Sequence, residues 1–261
     1  LTRELSAEVI LRDFKRIETS GSRVGQVNGL VIVGTDLPFG LPTRITAQAR
    51  MGSPIEQGMG QILNIQRQIG QSGPSHSKGV LILGGYMRGH FLRKKPLALS
   101  ATLAFEQTYS GVDGDSASTA EMCALLSAIS GVPIRQHLAV TGSISQQGEV
   151  QAIGGVNQKI EGFYDICKAR GLARGQGVII PNANVQDLML RRDVVDACER
   201  GEFHVFAAET VDQVIELLTG HKAGKRGLGG KFPAGTVNAR VEERLREFSS
   251  AAMGSGRFSW I

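Results

Sequence analysis

Aromatic residues are scarce in this chain, at 5%, with a single tryptophan. A core built from it must be aliphatic and rich in alanine. Cysteine is scarce too. Cys123, Cys167 and Cys198 are odd in number and far apart, which argues against a disulfide framework or a Cys/His zinc cluster. They read as reduced thiols in or near the core of a cytoplasmic protein. No run of about eighteen apolar residues is present to span a bilayer as a helix. No basic segment followed by an apolar one opens the chain as a secretory leader would. The charge balance is only +5, from 29 Lys and Arg against 24 Asp and Glu. Part of that excess is local, in Arg93-Lys94-Lys95 and in Lys222, Lys225, Arg226 and Lys231. Few aromatics interleave with these bases, so nucleic acid is not an expected partner. The 261 residues contain no Gly-x-x-x-x-Gly-Lys-Ser/Thr phosphate loop, which excludes ATP binding by that device.

What the chain has instead is glycine, 34 residues of it, punctuating alternating apolar segments. Leu5, Val9, Ile10, Phe14 and Ile17 recur at helical spacing, so residues 1–18 predict a connecting helix with no core of its own to cover. Residues 25–33 and 43–50 read as strands, and 52–76 as loop or edge ribbon. Residues 78–84 fit a strand or a helix, and 97–107 read as helical or mixed. From 116 onward the pattern is clearer. A small-residue helix over 116–130 is closed by Gly131 and Pro133. Strands follow at 137–142 and 149–153, then a helix over 157–170 with Ile160, Phe163 and Cys167 on one stripe. A buried strand at 177–181, a helix at 185–200 and a strand at 203–206 come next. Thr210-Val-Asp-Gln213 is a capping box for a helix running to Thr219. Alternating strands and helices predict an α/β (α+β) domain with a mixed sheet. After Gly220 the composition turns basic and glycine-rich, predicting a tail with a short charged helix at 241–248. The expected organisation is therefore a linker helix over 1–20, a domain over 21–220 and a tail over 221–261.

Two residues stand out chemically. Ser116 opens the 116–130 helix beside Gly114, where helix N–H groups and the helix dipole favour a developing oxyanion. As nucleophile it needs a base; as a purely structural residue it is an N-cap, a role Asp115 fills equally well. Lys159, after Gly154-Gly155, flanks the buried stripe of its helix. Desolvated, it becomes a neutral amine and a general base; otherwise it is a surface lysine. Thr141 ends a strand and can bond an ammonium or pack as a β-branched residue. Asp113 can orient a lysine or begin a turn. A Ser-His-Asp hydrolase would need the Gly-x-Ser-x-Gly elbow, and Gly114-Asp-Ser-Ala-Ser118 lacks its second glycine. His137 and His204 read as packed strand histidines.

Taken together, Val112-Asp-Gly-Asp-Ser-Ala-Ser118, Val140-Thr-Gly-Ser-Ile144 and Gly148-Glu-Val-Gln-Ala-Ile-Gly-Gly-Val-Asn-Gln-Lys-Ile-Glu161 resemble the proteolytic domain of Lon proteases. Phe163-Tyr-Asp-Ile-Cys-Lys-Ala-Arg-Gly171 and Gly177-Val-Ile-Ile-Pro181 extend the likeness, which runs from about Gly25 to Gly220. Asp115-Ser116 is similar to the B-type and related branches; the A-type has Pro-Ser there. By position the resemblance makes Ser116 the nucleophile and Lys159 the general base, with Thr141 and Asp113 in support. It implies a serine endopeptidase acting on unfolded or damaged polypeptides, assembled as a homo-oligomer, most readily a hexameric ring. It implies no metal and no cofactor in this chain; ATP and Mg²⁺ would enter only through an AAA+ module upstream of these residues. The competing expectation is a non-catalytic α/β binding or scaffold domain, associated with nucleic acid.

Overall fold

The computed structural model describes residues 3–12, 16–34, 36–52, 61–91, 97–109 and 111–255. Phe14, Arg93-Lys94-Lys95 and part of the 52–76 segment lie outside the described residues. The chain begins with helix α1 (Arg3–Leu11), then strands β1 (Ser22–Arg23), β2 (Gln26–Val33), β3 (Phe39–Met51) and β4 (Gln61–Asn64). One turn of helix, α2 (Ile65–Gln68), leads to α3 (Pro74–His90) and β5 (Leu99–Phe105). After α4 (Ser118–Ser130) come the short strands β6 (Ile134–Arg135), β7 (Leu138–Val140), β8 (Ser143–Ile144) and β9 (Val150–Gln151). The last part holds α5 (Val156–Ala169), β10 (Gly177–Pro181), a 3-10 helix (Asn182–Asp187), α6 (Arg192–Glu199), β11 (His204–Ala208), α7 (Val211–Thr219) and α8 (Val237–Ser255).

The main sheet has seven strands in the order β11-β10-β7-β2-β3-β5-β4. β2, β3 and β5 pair antiparallel in that order; β7, β10 and β11 run parallel, as the crossovers through α5 and α6 require. Both faces are covered, and the side-chain period of two shows it. Leu138, Val140 and Ile179 enter one core with α4, α7 and α8, while Ala139, Val178 and Ile180 enter another with α5 and α6.

Several expectations from sequence change here. Residues 99–105 form a strand whose positions alternate buried and partly buried. Two alanines and a serine in LSATLAF blur that period in the sequence. Residues 78–84 are helix, because Pro74 stands in the first turn of α3 and fixes its start. The helix expected over 185–200 is broken into the 3-10 turn and α6. The Asn157 side chain takes backbone groups there that a continuous helix would need: Met189 N–H donates to its Oδ1, and its Nδ2 donates to the Asp187 carbonyl. α1 has a core after all. Ile10 and Ile17 pack with Phe39, Leu41 and Ile166, and the Arg170 guanidinium bonds the Ile10 and Ile17 carbonyls.

The largest difference from expectation concerns residues 221–255, which pack against the domain instead of trailing from it. α8 is long enough to present Val237, Val241, Leu245, Phe248 and Ala252 as one buried stripe of the main core. Arg226 braces it, paired with Glu242 at 2.6 Å and lying over the Phe232 ring. The 241–248 window hid this because it showed two turns of a stripe that runs over five.

Candidate active site

Ser116 lies in the turn between the loop 111–115 and α4, whose regular helix starts at Ser118. Its carbonyl is fixed twice: the Gly142 N–H donates to it at 2.8 Å and the Thr141 hydroxyl at 3.2 Å. Gly142 must be small, since a Cβ there would lie 2.8 Å from the Thr119 hydroxyl and 2.9 Å from Val150. The strand end β7 is thereby docked onto the turn carrying the serine.

Lys159 is in the first turn of α5. That helix starts from Gly155, at φ +68°. It then meets β3 backbone to backbone: a Cβ on Gly40 would overlap Gln158 and Lys159, and one on Gly162 would overlap Gly40. These glycines set the depth of the lysine, which is 2% exposed. Its Nζ lies 2.8 Å from Ser116 Oγ and 3.2 Å from Thr141 Oγ1. Burial of the ammonium lowers its pKa to about 8, opposed by the negative charge of Asp115. Asp115 is itself oriented by Ser143, whose hydroxyl donates to Oδ2 at 2.8 Å.

Asp113 does not orient the lysine. Its Oδ1 accepts the N–H groups of Gly114 at 2.8 Å, Ser75 at 3.1 Å and His76 at 3.3 Å, capping α3 and tying the loop to it. These bonds hold its carboxyl below the usual carboxylate range. The acidic neighbour of Lys159 is Asp115, which the sequence reading treated only as a helix cap.

The pair opens into a cleft of about 480 Å³ bounded by residues 30–33 of β2, the loop 111–117 and the segment 152–154. A larger concavity of about 660 Å³ holds His137 and His204, but no Ser, Thr or Cys lines it. Of these two, only the smaller cleft offers a hydroxyl, that of Ser116. Among the described residues, the N–H groups of Asp115, Ser116 and Ala117 donate to no protein acceptor. They lie beside the serine, at the positive end of α4. No group of three His, Cys, Asp or Glu side chains among the described residues is arranged to hold a metal, and no helix is long and apolar enough to cross a membrane.

A hydroxyl, a desolvated amine and free backbone donors at one cleft make up the apparatus of acyl transfer by a serine–lysine hydrolase. The relatives fit this class. The profile of the Lon protease (S16) C-terminal proteolytic domain matches residues 109–220. The chain is 38% identical over 260 residues to a Lon protease homolog of Escherichia coli (strain K12), covering 98% of this chain and 42% of that protein. It is 42% identical over 214 residues to a Lon protease homolog of Haemophilus influenzae, covering 81% and 35%. It is 32% identical over 206 residues to the archaeal Lon protease of Thermococcus kodakarensis, covering 79% and 29%. The chain thus belongs to the Lon family and carries its serine-peptidase domain. It spans less than half the length of these curated relatives.

Sequence reasoning missed one group near this site, the buried His76–Asn64–Glu121 cluster below the loop 111–115. Its signal was present: Glu121 is the lone charge in the otherwise small and apolar STAEMCALLSAIS.

Proposed function

We propose that this domain hydrolyses peptide bonds in unfolded or damaged polypeptides, with Ser116 as nucleophile and Lys159 as general base. The observation that carries the proposal is the 2.8 Å contact between a buried lysine Nζ and the serine Oγ at an open cleft. Lys159 in its neutral form takes the hydroxyl proton as Oγ bonds the scissile carbonyl carbon. The resulting oxyanion faces the free N–H groups of the 115–117 turn. Lys159 then passes the proton to the leaving amine as the C–N bond breaks, and an ester on Ser116 remains. Water attacks the ester with Lys159 again taking the proton, and the serine is restored. Thr141 holds Nζ in place and braces the Ser116 carbonyl.

Extended substrates fit the cleft. The ladder from β2 to β7 is confined to Asn28 and Gly29, so the β7-facing edge of β2 from Leu30 to Val33 borders the cleft and can add a peptide strand. Lys159 in hydrogen-bond contact with Ser116 favours this reading over a Ser-His-Asp hydrolase, as among the described residues the hydroxyl of Ser116 pairs with this lysine and with no histidine. In the parent protein we expect a cytoplasmic hexameric ring that confines the serines, with ATP and Mg²⁺ bound by an AAA+ module outside these residues. The test is hydrolysis of casein and of a fluorogenic peptide by the wild-type chain and Ser116→Ala, with and without ATP and Mg²⁺. The proposal expects slow peptide cleavage, indifferent to ATP and lost in Ser116→Ala. Persistent cleavage by a clean Ser116→Ala preparation overturns it.

A further inference from the structure

His137 and His204 take no part in the reaction just described, yet both face the larger concavity, of about 660 Å³. It lies at one edge of the main sheet, between the edge strand β11, helix α7 and the segment from β6 to β7. Gln136 sets the geometry of that segment. It is 0% exposed and its side chain is fully bonded: Nε2 donates to the Gln26 and Ile134 carbonyls at 2.9 Å each, and Oε1 accepts from Gln26 Nε2 at 3.0 Å. With residue 136 turned inward, Arg135 and His137 turn outward together. On β11 the same period of two sets His204 beside Phe206, their rings 5.6 Å apart between centroids and 29° from parallel. α7 stops at Thr219, and Gly220 at φ +75° reverses the chain. A Cβ on Gly220 would overlap the Arg135 guanidinium, which lies across this turn.

The walls carry basic groups in excess. Arg135 from β6, His137 ahead of β7, His204 from β11, and His221 and Lys222 beyond α7 face one carboxylate, Glu216 of α7. That carboxylate is already engaged, its Oε2 with Lys222 Nζ at 3.4 Å and its Oε1 with the Ala223 N–H at 2.9 Å. Arg135 and the three imidazoles have no hydrogen-bond or ion-pair partner among the described residues. The C-terminus of α7 adds only about half a negative charge, too little to balance them. We infer that the concavity binds a phosphate-bearing small molecule, with Arg135 and His137 holding the oxyanion and the rest of the ligand lying along the His204–Phe206 wall. A guanidinium fork and an imidazolium together offer more donors than the two oxygens of a carboxylate can use, while a phosphate ester presents three terminal oxygens. The cavity is far larger than a phosphate group, so the ligand is an ester of a larger body, and the two rings suit a planar apolar one. His137 supports this reading. Burial, and then the neighbouring Arg135 charge, hold its ring below the ordinary histidine range. A bound anion opposes both effects, so anion binding and protonation of His137 favour one another.

The inference is independent of Ser116, and its test needs no turnover. Phenyl phosphate is titrated into the 261-residue chain at about pH 6 and about pH 8, and the histidine ring protons are followed by NMR. Sodium chloride at matched ionic strength is the reference. The signals of His137 and His204 should shift together, with a Kd of about 1 mM or tighter at the lower pH. The Kd should rise at least about tenfold at the higher pH, as the ring loses its proton. In the saturated chain His137 should titrate at a higher pH than in the free chain. Arg135→Gln should weaken binding at least about tenfold, through loss of a charge-assisted contact. In the free chain it should also raise the titration of His137, since the repelling charge is gone. Shifts reproduced by chloride, equal affinity for benzoate, or undiminished binding in Arg135→Gln would each overturn the site. Should Arg135→Gln fail to fold, the wild-type titration decides alone: no response of His137 and His204 up to about 10 mM phenyl phosphate overturns it.

Discussion

Lys159 and Glu121 are buried on either side of one turn, and both titrate near pH 8, the lysine from above its site value and the glutamate from below. The dominant cause is the same for each, loss of water around the charged form. Their surroundings differ. Lys159 touches two hydroxyls, one of them Ser116, at the wall of an open cleft. Glu121 touches an amide inside the core, and its Oε2 finds no partner among the described residues. A displaced pKa therefore reports burial in both, and only the group that reaches a reacting atom can use it for acid–base chemistry. The glutamate instead accepts from the Asn64 amide and holds its orientation.

The comparison breaks most visibly in activity. Ser116→Ala should cost at least about 10³-fold in kcat, and Lys159→Met should match it, since the two act as one unit. Lys159→Arg should be equally damaging, because a guanidinium stays protonated at every working pH. Measuring kcat on a fluorogenic peptide for all three decides this. A Lys159→Arg enzyme near wild-type rate would remove the base from the account.

Stability should move the opposite way. The folded pKa of Lys159 is about 8 against 10.5 for the free group, so the folded chain binds fewer protons between those values. Its stability rises with pH through that window, and below it the buried ammonium costs on the order of 3 kcal/mol. Lys159→Met removes that penalty and should stabilise the chain by about 1–3 kcal/mol at pH 7 in urea unfolding. Glu121 gives the contrasting sign. Its folded pKa is raised from 4.5 to about 8, so the folded chain holds more protons and stability falls as pH climbs from 4.5 through about 8. Glu121→Gln should flatten that part of the pH–stability curve. A curve unchanged by the substitution would mean the carboxyl is not buried as described.

The pairing of Ser116 with Lys159, in contact at 2.8 Å, was legible from sequence because short motifs carry it. Gly114-Asp-Ser and Gly154-Gly155 with Lys159 each lie beside a helix start, so local rules reach them. The strands of the parallel half were legible for the same reason: Gly177-Val-Ile-Ile-Pro181 is continuously apolar and buried at every position. What was not legible depends on partners distant in sequence. His76 and Glu121 meet only once α3 and α4 pack. Asp113 reads as a lysine's partner until the N-terminus of α3 arrives to claim it. The apolar stripe of α8 is spread over five turns of a charged helix, and only the finished core shows which side is buried.

Thr141 gives the smallest effect and sharpens the comparison most finely. Thr141→Val keeps the shape but removes the hydroxyl that Lys159 and the Ser116 carbonyl share. Gly142 still holds that carbonyl, so the loss should be roughly tenfold in kcat, about one hydrogen bond. A loss as large as that of Ser116→Ala would give Thr141 a chemical role of its own.

The central claim is that Lys159 works as a neutral amine. The pH dependence of kcat/KM for the wild-type chain, from about pH 6 to 10, tests it most directly. The account predicts a rate rising about tenfold for each pH unit below the turnover and levelling as pH passes about 8, where the buried amine loses its proton. A profile flat from about pH 6 to 9 would contradict it.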